Sequence, residues 1–453
     1  MKITNFFLAT VAVLFLGAGS LLAQNLTPGY ASPAPYYASD TSAGNYELEH
    51  RIFQLEEAMK QKVDRPDTKK AWSSPRVSGR LFLDSINFAD QNAESRTAHG
   101  NMQNVTGFRE LRLGAAGSGY NSFDYKVEVG LHNNEGRVAL IDNWVGVKNV
   151  PLLGYVRAGH FKPETGLYYP MGSTNISLME YTAAANIFGL GRRIGISSEN
   201  LFAQDRVRLF FGVFHNEATD LNRRASRDNQ GQIVNIRLTA APHFAQEGKY
   251  LLHLGGHWEY VSPKSKAEAN HSLTATPGTF GHSITSTLTA GDFANDHSHR
   301  GGLEFAYQCG RFSTRSELFA GSFSGGGQHL YGTYVEFAYF LTEDFRIYDL
   351  NSGAFGGVKM KRNFHPYKRG EWNLVNSLGA WQAVFQWSYV DMDDWRTSPT
   401  TGGRQNDFVT GLNWFWTPQL RWMFEYVRSE QNVGNTHSRR SQDIFATSIR
   451  VHF

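Results

Sequence analysis

The shortages in this sequence narrow it first. Among 453 residues there is a single Cys, so no internal disulfide framework holds the chain together. Charged residues make up 19%, below the roughly 25% of an ordinary soluble domain. That is too few for a disordered polyanion. Beyond residue 23 no apolar run approaches the ~18 residues that a membrane-spanning helix needs, which excludes a helical membrane protein. Neither sign of charge dominates: 44 basic and 41 acidic residues leave +3. No nucleic-acid face is indicated, and any preference for an anion must come from where charges are placed. What is abundant is Gly (45) and aromatics (32 Phe, 20 Tyr, 10 Trp), in no collagen-like repeat.

Met1-Lys2, the apolar run Phe6 to Leu16 and the small residues ending at Ala23 read as a secretory signal peptide, residues 1–23, cleaved before Gln24. Residues 24–44, rich in Pro, Ser, Ala and Tyr, read as a flexible linker. Over 45–64, Leu48, Ile52, Leu55 and Met59 recur at steps of 4, 3 and 4, an a/d seam two heptads long. The spacing predicts a short periplasmic helix, either a trimeric coiled coil or a lone amphipathic helix. Cys309, in Glu-Phe-Ala-Tyr-Gln-Cys-Gly-Arg, has no His beside it to activate a thiolate and reads as a turn filler.

From residue 78 the period falls to 2. Phe445, Thr447, Ile449, Val451 and Phe453 alternate with Ala446, Ser448, Arg450 and His452, and Trp381, Ala383, Phe385 and Trp387 with Gln382, Val384 and Gln386. Such segments run ~10–14 residues, against 5–6 for most soluble strands. Aromatics crowd their apolar ends, as at Trp414-Phe415-Trp416 and Trp422, while the polar faces carry both signs of charge. An apolar exterior, aromatic girdles and a polar interior describe an outer-membrane barrel. Sixteen such segments fit between 78 and 453, so the expected fold is all-β: a 16-stranded antiparallel transmembrane β-barrel, wide enough for an aqueous channel. With the first strand leaving the periplasm, Ser118-Gly119-Tyr120, Cys309-Gly310 and Thr417-Pro418 become tight periplasmic turns.

Three connections are too long for turns: 163–189, 262–296 and 343–378. The first is apolar enough to fold inward and narrow a pore. The third falls on the periplasmic side and carries Lys359, Lys361, Arg362, Lys368 and Arg369 with no acid between Asp349 and Glu371.

These features come together in a resemblance. Gly79-Arg80-Leu81-Phe82-Leu83-Asp84, Arg157-Ala-Gly-His-Phe-Lys162, Gly191-Arg192-Arg193-Ile194-Gly195, Ser352 to Phe364, Gly379 to Asp391 and Gly403 to Trp414 resemble, in order and spacing, the phosphate-selective porins O and P. The resemblance implies a usually trimeric, anion-selective barrel of 16 strands. Its inward loops and one long periplasmic turn would build a constriction of lysines and arginines. Carried over by position, the basic residues are Lys162, Arg192, Arg193, Lys359, Lys361 and Arg362. Parity adds an inward basic path of Arg80, Arg112, Lys126, Arg157, Arg206, Arg208, Arg237, Arg315 and Arg450, and places Arg193 opposite the outward Ile194 and Ile196. Asp84, Glu110, Glu128, Glu259, Glu304, Glu317 and Glu336 fall on the same inward faces and dilute the field. Asn175 and Tyr181 stand where relatives often have Lys and Arg.

The expected function is passive uptake of small inorganic anions such as phosphate or polyphosphate across the outer membrane of a Gram-negative-type cell, with no cofactor and no catalysis. A general or sugar-type diffusion porin with weak anion preference is the alternative, with Tyr168, Tyr169 and Tyr181 lining its path. Other readings are thinner. His253, His257 and Glu259 share an inward face but lack a nucleophile, and His282, His297 and His299 with Asp292 and Asp296 lack a clean metal-ligand spacing.

Overall fold

The computed structural model describes residues 72–132, 137–216, 231–262, 270–277, 288–364 and 378–453, with 367–368 and 371–372. The expected signal peptide, linker and helix lie outside the described residues, as do parts of the second and third long connections.

Alternation of apolar and polar residues lets every strand bury one face and expose the other. The barrel strands are β1 (Arg76–Gln91), β2 (Val105–Gly119), β3 (Phe123–His132), β4 (Arg137–Val150), β5 (Gly154–Phe161), β6 (Arg193–Phe202), β7 (Val207–His215), β8 (Gln232–Ala245) and β9 (Tyr250–Val261). Then come the hairpin β10 (Asn270–Ala275) and β11 (Leu288–Ala294), and barrel strands β12 (Ser298–Cys309), β13 (Phe312–Phe323) and β14 (Gln328–Phe340). Hairpins β15 (Phe345–Asp349) with β16 (Ala354–Lys359), and β17 (Tyr367–Lys368) with β18 (Glu371–Trp372), precede the last barrel strands. These are β19 (Ala380–Met392), β20 (Gly403–Thr417), β21 (Leu420–Val433) and β22 (Ser438–His452).

The sixteen barrel strands pair in chain order and close through β1 against β22, with Leu81 opposite Val451 and Leu83 opposite Ile449. Closure leaves no strand edge unpaired, the condition for crossing a bilayer with strands. Among the described residues no helix is long and apolar enough to cross one. The expected faces hold. On β22 Phe445 is 54% exposed on the outside, whereas Ser448 and Arg450 are each 1% exposed inside. Turns at one end are tight, as at Gly310, whose φ of 60° suits glycine. By the asymmetry of such barrels this end is periplasmic.

Two findings depart from the simple picture of a water-filled tube. Much of the inner face is apolar: Phe210, Phe214, Phe319, Met423, Val427 and Ile444 are buried there. They pack against elements folded into the barrel, so burial rather than hydration selects their side chains. The second is Arg206, which parity placed inside. It lies exposed in the turn between β6 and β7 and donates to the Pro242 carbonyl at 3.4 Å, because the strand begins only at Val207.

Candidate functional site

Residues 162–192, between β5 and β6, fold into the barrel as the apolar run predicts. Leu167, Tyr168, Met171, Ile176 and Phe188 are buried in one cluster with wall residues Phe319, Phe323 and Tyr334. Apolar packing alone does not orient a loop, and the wall also satisfies its backbone. Glu317 accepts from the Leu167 and Tyr168 amides at 2.6 and 3.0 Å, and Glu425 accepts from that of Met179. Arginines take the carbonyls: Arg421 donates to Ile176 at 2.8 Å, and Arg450 and Arg109 donate to Met179 at 2.6 and 2.5 Å. Buried backbone groups with partners hold one conformation, so the loop is a fixed partition.

Glu164 anchors its start. Arg208 reaches it at 2.6 and 2.7 Å and Arg237 at 3.0 Å, and Arg237 also grips Glu304 at 2.8 Å. Burial alone would raise this loop carboxyl, but Arg208 and then Arg237 hold it below the ordinary range.

From the opposite side the hairpin β15–β16 enters the barrel. Its tip carbonyls, Ser352 and Gly353, accept from Arg237 at 3.0 and 2.8 Å, and Tyr348 hydroxyl meets His253 Nδ1 at 2.6 Å. Arg346 donates to the Asn175 carbonyl at 2.6 Å and so joins hairpin to loop. On β16 and just past it, Val358 and Met360 pack with Phe340, Ala380 and Phe415. Alternation then turns Lys359 and Lys361 the other way, where Lys359 meets Glu247 at 3.0 Å and Lys361 pairs with Glu343, all four more than half exposed.

Between loop, hairpin and the β1–β6 side of the wall lies a cavity of about 700 Å³. Seven cations line it: Arg80, Arg109, Arg112, Lys126, Arg157, Lys162 and Arg192. Six of them are within ion-pair distance of a carboxylate. Arg80 reaches Glu128 at 3.2 Å, Arg112 reaches Glu110 at 3.0 Å and Lys126 reaches Asp142 at 3.0 Å. Arg157 meets Glu199 at 2.8 Å, Arg192 meets Asp142 at 2.7 Å, and Arg109 pairs with Glu180. Lys162 differs: its ammonium donates to the Tyr169 carbonyl at 3.1 Å and the Tyr181 hydroxyl at 3.2 Å, 4.1 and 4.7 Å from those two ring centres.

Of the residues expected from sequence, Arg157, Lys162 and Arg192 therefore share one cavity. Arg193 lies next to them and donates to the Arg192 carbonyl at 2.9 Å. Lys359, Lys361 and the exposed Arg362 do not join them. Asn175 and Tyr181, at which the family resemblance implies cations, do line the cavity. Three functional arginines escaped the sequence reading. Arg421 was legible, since it alternates with Trp422 on β21. Arg109 was not: the register shifts between Phe82 and Leu83, so Arg109 is an extra residue in a bulge that turns it inward against parity. Arg346 depends on how the insertion folds.

The other readings find little support in the geometry. His253 and His257 lie against Glu304, at 3.2 and 3.9 Å, and the hydroxyl that meets His253 belongs to Tyr348, buried in the apolar cluster. Among the described residues no group of His, Cys, Asp and Glu is placed to hold a metal. His282 lies outside them.

A closed sixteen-stranded barrel, apolar outside and partitioned inside by its own loops, is the architecture of an outer-membrane porin, a channel. The chain belongs to the phosphate-selective porin O and P family, whose model matches residues 82–453. It is 22% identical over 415 residues to Porin O of Pseudomonas aeruginosa, spanning 83% of this chain and 88% of that protein. An uncharacterized protein of Caulobacter vibrioides is 28% identical over 328 residues, 70% of this chain but only 61% of that relative. Among solved structures, a loop-deletion variant of OmpT, an outer membrane protein of Vibrio cholerae, aligns with a TM-score of 0.51 at 12% identity, covering 85% of this chain and all of that one. The outer membrane channel DcaP of Acinetobacter baumannii aligns with a TM-score of 0.51 at 8% identity, covering 85% and 98%.

Proposed function

We propose that the cavity beside the inward loop is the conduit of a passive anion channel, working as a homotrimer and admitting small anions of the phosphate class. The observation that carries this is the ladder of seven cations along one side of the lumen, in a chain of this family. An anion entering a narrow channel loses hydration, and lysine and arginine donors replace it with charge-assisted hydrogen bonds. Low-dielectric walls concentrate the field and repel cations. Because the donors are spaced along the wall, no single site needs to hold the ion so tightly that it stays.

One observation favours a weaker form of this reading, a general diffusion porin with mild anion preference. Carboxylates already occupy six of the seven cations, so little uncompensated charge is left for a passing ion. The sugar-type version has less in its favour, since Tyr168 is buried in the apolar cluster while Tyr169 and Tyr181 are turned on Lys162.

Planar-bilayer reversal potentials in a KCl gradient test the proposal. The expected sign is that of chloride permeating faster than potassium, with current blocked further by added phosphate. A cation-preferring channel would sink it, and anion preference without phosphate block would leave only the weaker form.

A further inference from the structure

The pairing pattern in the cavity singles out one side chain. Every other cation on its lining has a carboxylate at ion-pair distance, and such a pair presents little net charge to an ion passing nearby. Lys162 is bracketed by a carbonyl, a phenol and two aromatic faces, none of which carries a compensating negative charge. Tyr181 hydroxyl is itself committed, donating to the Met171 carbonyl at 2.6 Å, so the bracket is held in place by the inward loop. We propose that Lys162 sets the anion preference of this cavity, and that this preference falls as pH rises. This rests on the reading of the chain as an anion channel.

The groups around Lys162 explain why its charge is easily lost. Burial opposes the ammonium most, and Arg192 and Arg112 repel it, while Asp142 and Glu110 support it but are engaged by those same arginines and Lys126. The result brings Lys162 down to about 7. A lysine, unlike an arginine, shifts this far when desolvated. Below that pH the site is cationic and draws anions in; above it the ladder is left with paired cations. Asp349, the acid of the lining without an ion-pair partner among the described residues, is on the exposed hairpin tip and accepts from the Asn351 amide at 3.0 Å.

The test is the chloride-to-potassium permeability ratio of the full-length channel at pH 6 and pH 8.5. Wild type is expected to lose about three- to tenfold of its anion preference between them, within the range that one focused charge commands. Lys162→Met should show the low, flat ratio at both values, and Lys162→Arg the high, flat one. Tyr181→Phe, which removes the accepting hydroxyl and keeps the ring, should move the midpoint to lower pH. A slope that survives Lys162→Met overturns the assignment. A flat wild-type ratio overturns it even if no variant folds. A cation-preferring wild type at pH 6 would instead overturn the channel reading beneath it.

Discussion

At Glu164 two arginines from neighbouring strands meet one carboxylate, and its removal cannot be local in effect. Arg208 and Arg237 are almost wholly buried, so Glu164→Gln would leave two guanidinium groups with only Glu199 and Glu304 to answer them. Breaking a buried pair while leaving its partner costs about 3–5 kcal/mol. Barrel unfolding in detergent, followed by heating until the folded band is lost on a gel, should therefore occur at a clearly lower temperature. The opposite case is Lys359, whose exposed pair with Glu247 is worth ~0–1 kcal/mol. Lys359→Ala should unfold with wild type. Equal melting of the two variants would mean that the arginine network does not hold the loop start. The contrast shows why residue type alone is a poor guide to role: both are charges on a periplasmic or lumenal element, and burial separates them.

At the scale of elements, the hairpin β15–β16 shows what alternation decides and what it leaves open. Period 2 puts Lys359 and Lys361 on one side of an extended segment, whichever side that is. The side is settled by Val358 and Met360, whose apolar surface goes to Phe340, Ala380 and Phe415 and carries the lysines outward. The double variant Lys359→Glu with Lys361→Glu is accordingly expected to leave the reversal potential within a few millivolts of wild type. Reversal of selectivity by it would show that charge at the mouth outweighs charge in the cavity. Arg346 makes the complementary prediction. It bridges the hairpin to the Asn175 carbonyl and to Gln382 at 3.2 Å. Arg346→Ala unties the hairpin from the loop, so single-channel conductance should rise and grow noisier while the barrel still folds. Unchanged conductance would place the narrowest point elsewhere.

For the whole molecule, the described barrel closes on itself without residues 1–71. If Leu48, Ile52, Leu55 and Met59 form a seam between subunits, deleting 25–70 should leave a folded barrel whose oligomer dissociates at lower temperature in detergent. Unchanged oligomer melting would assign subunit contact to the barrel walls alone. The strand plan is legible in the sequence because period 2 is a local property: a strand with one lipid-facing side must alternate, whatever its neighbours are. All sixteen barrel strands expected from the alternation are present, with ends displaced by a few residues. The inward fold of the first long loop was legible for a related reason, since Leu167, Tyr168 and Ile176 have no place on an aqueous surface.

The charges behaved differently. By itself the sequence determined the barrel, its inward and outward faces, the location of the long connections and the presence of many inward cations. Only the tertiary structure decided which cations are neutralised. The partners in Arg109–Glu180 and Arg80–Glu128 lie tens of residues apart and meet only when a loop crosses the lumen or three strands pair in register. The same is true of the one lining cation that, among the described residues, has no carboxylate at ion-pair distance. In the sequence Lys162 stands among several carried-over cations with nothing to rank it above them, and it becomes distinctive when the inward loop closes Tyr169 and Tyr181 around it and the wall acids are already held by arginines. Side-chain periodicity is dictated along the chain, whereas net charge at a point is a sum over everything folded around it, and that sum exists only in three dimensions.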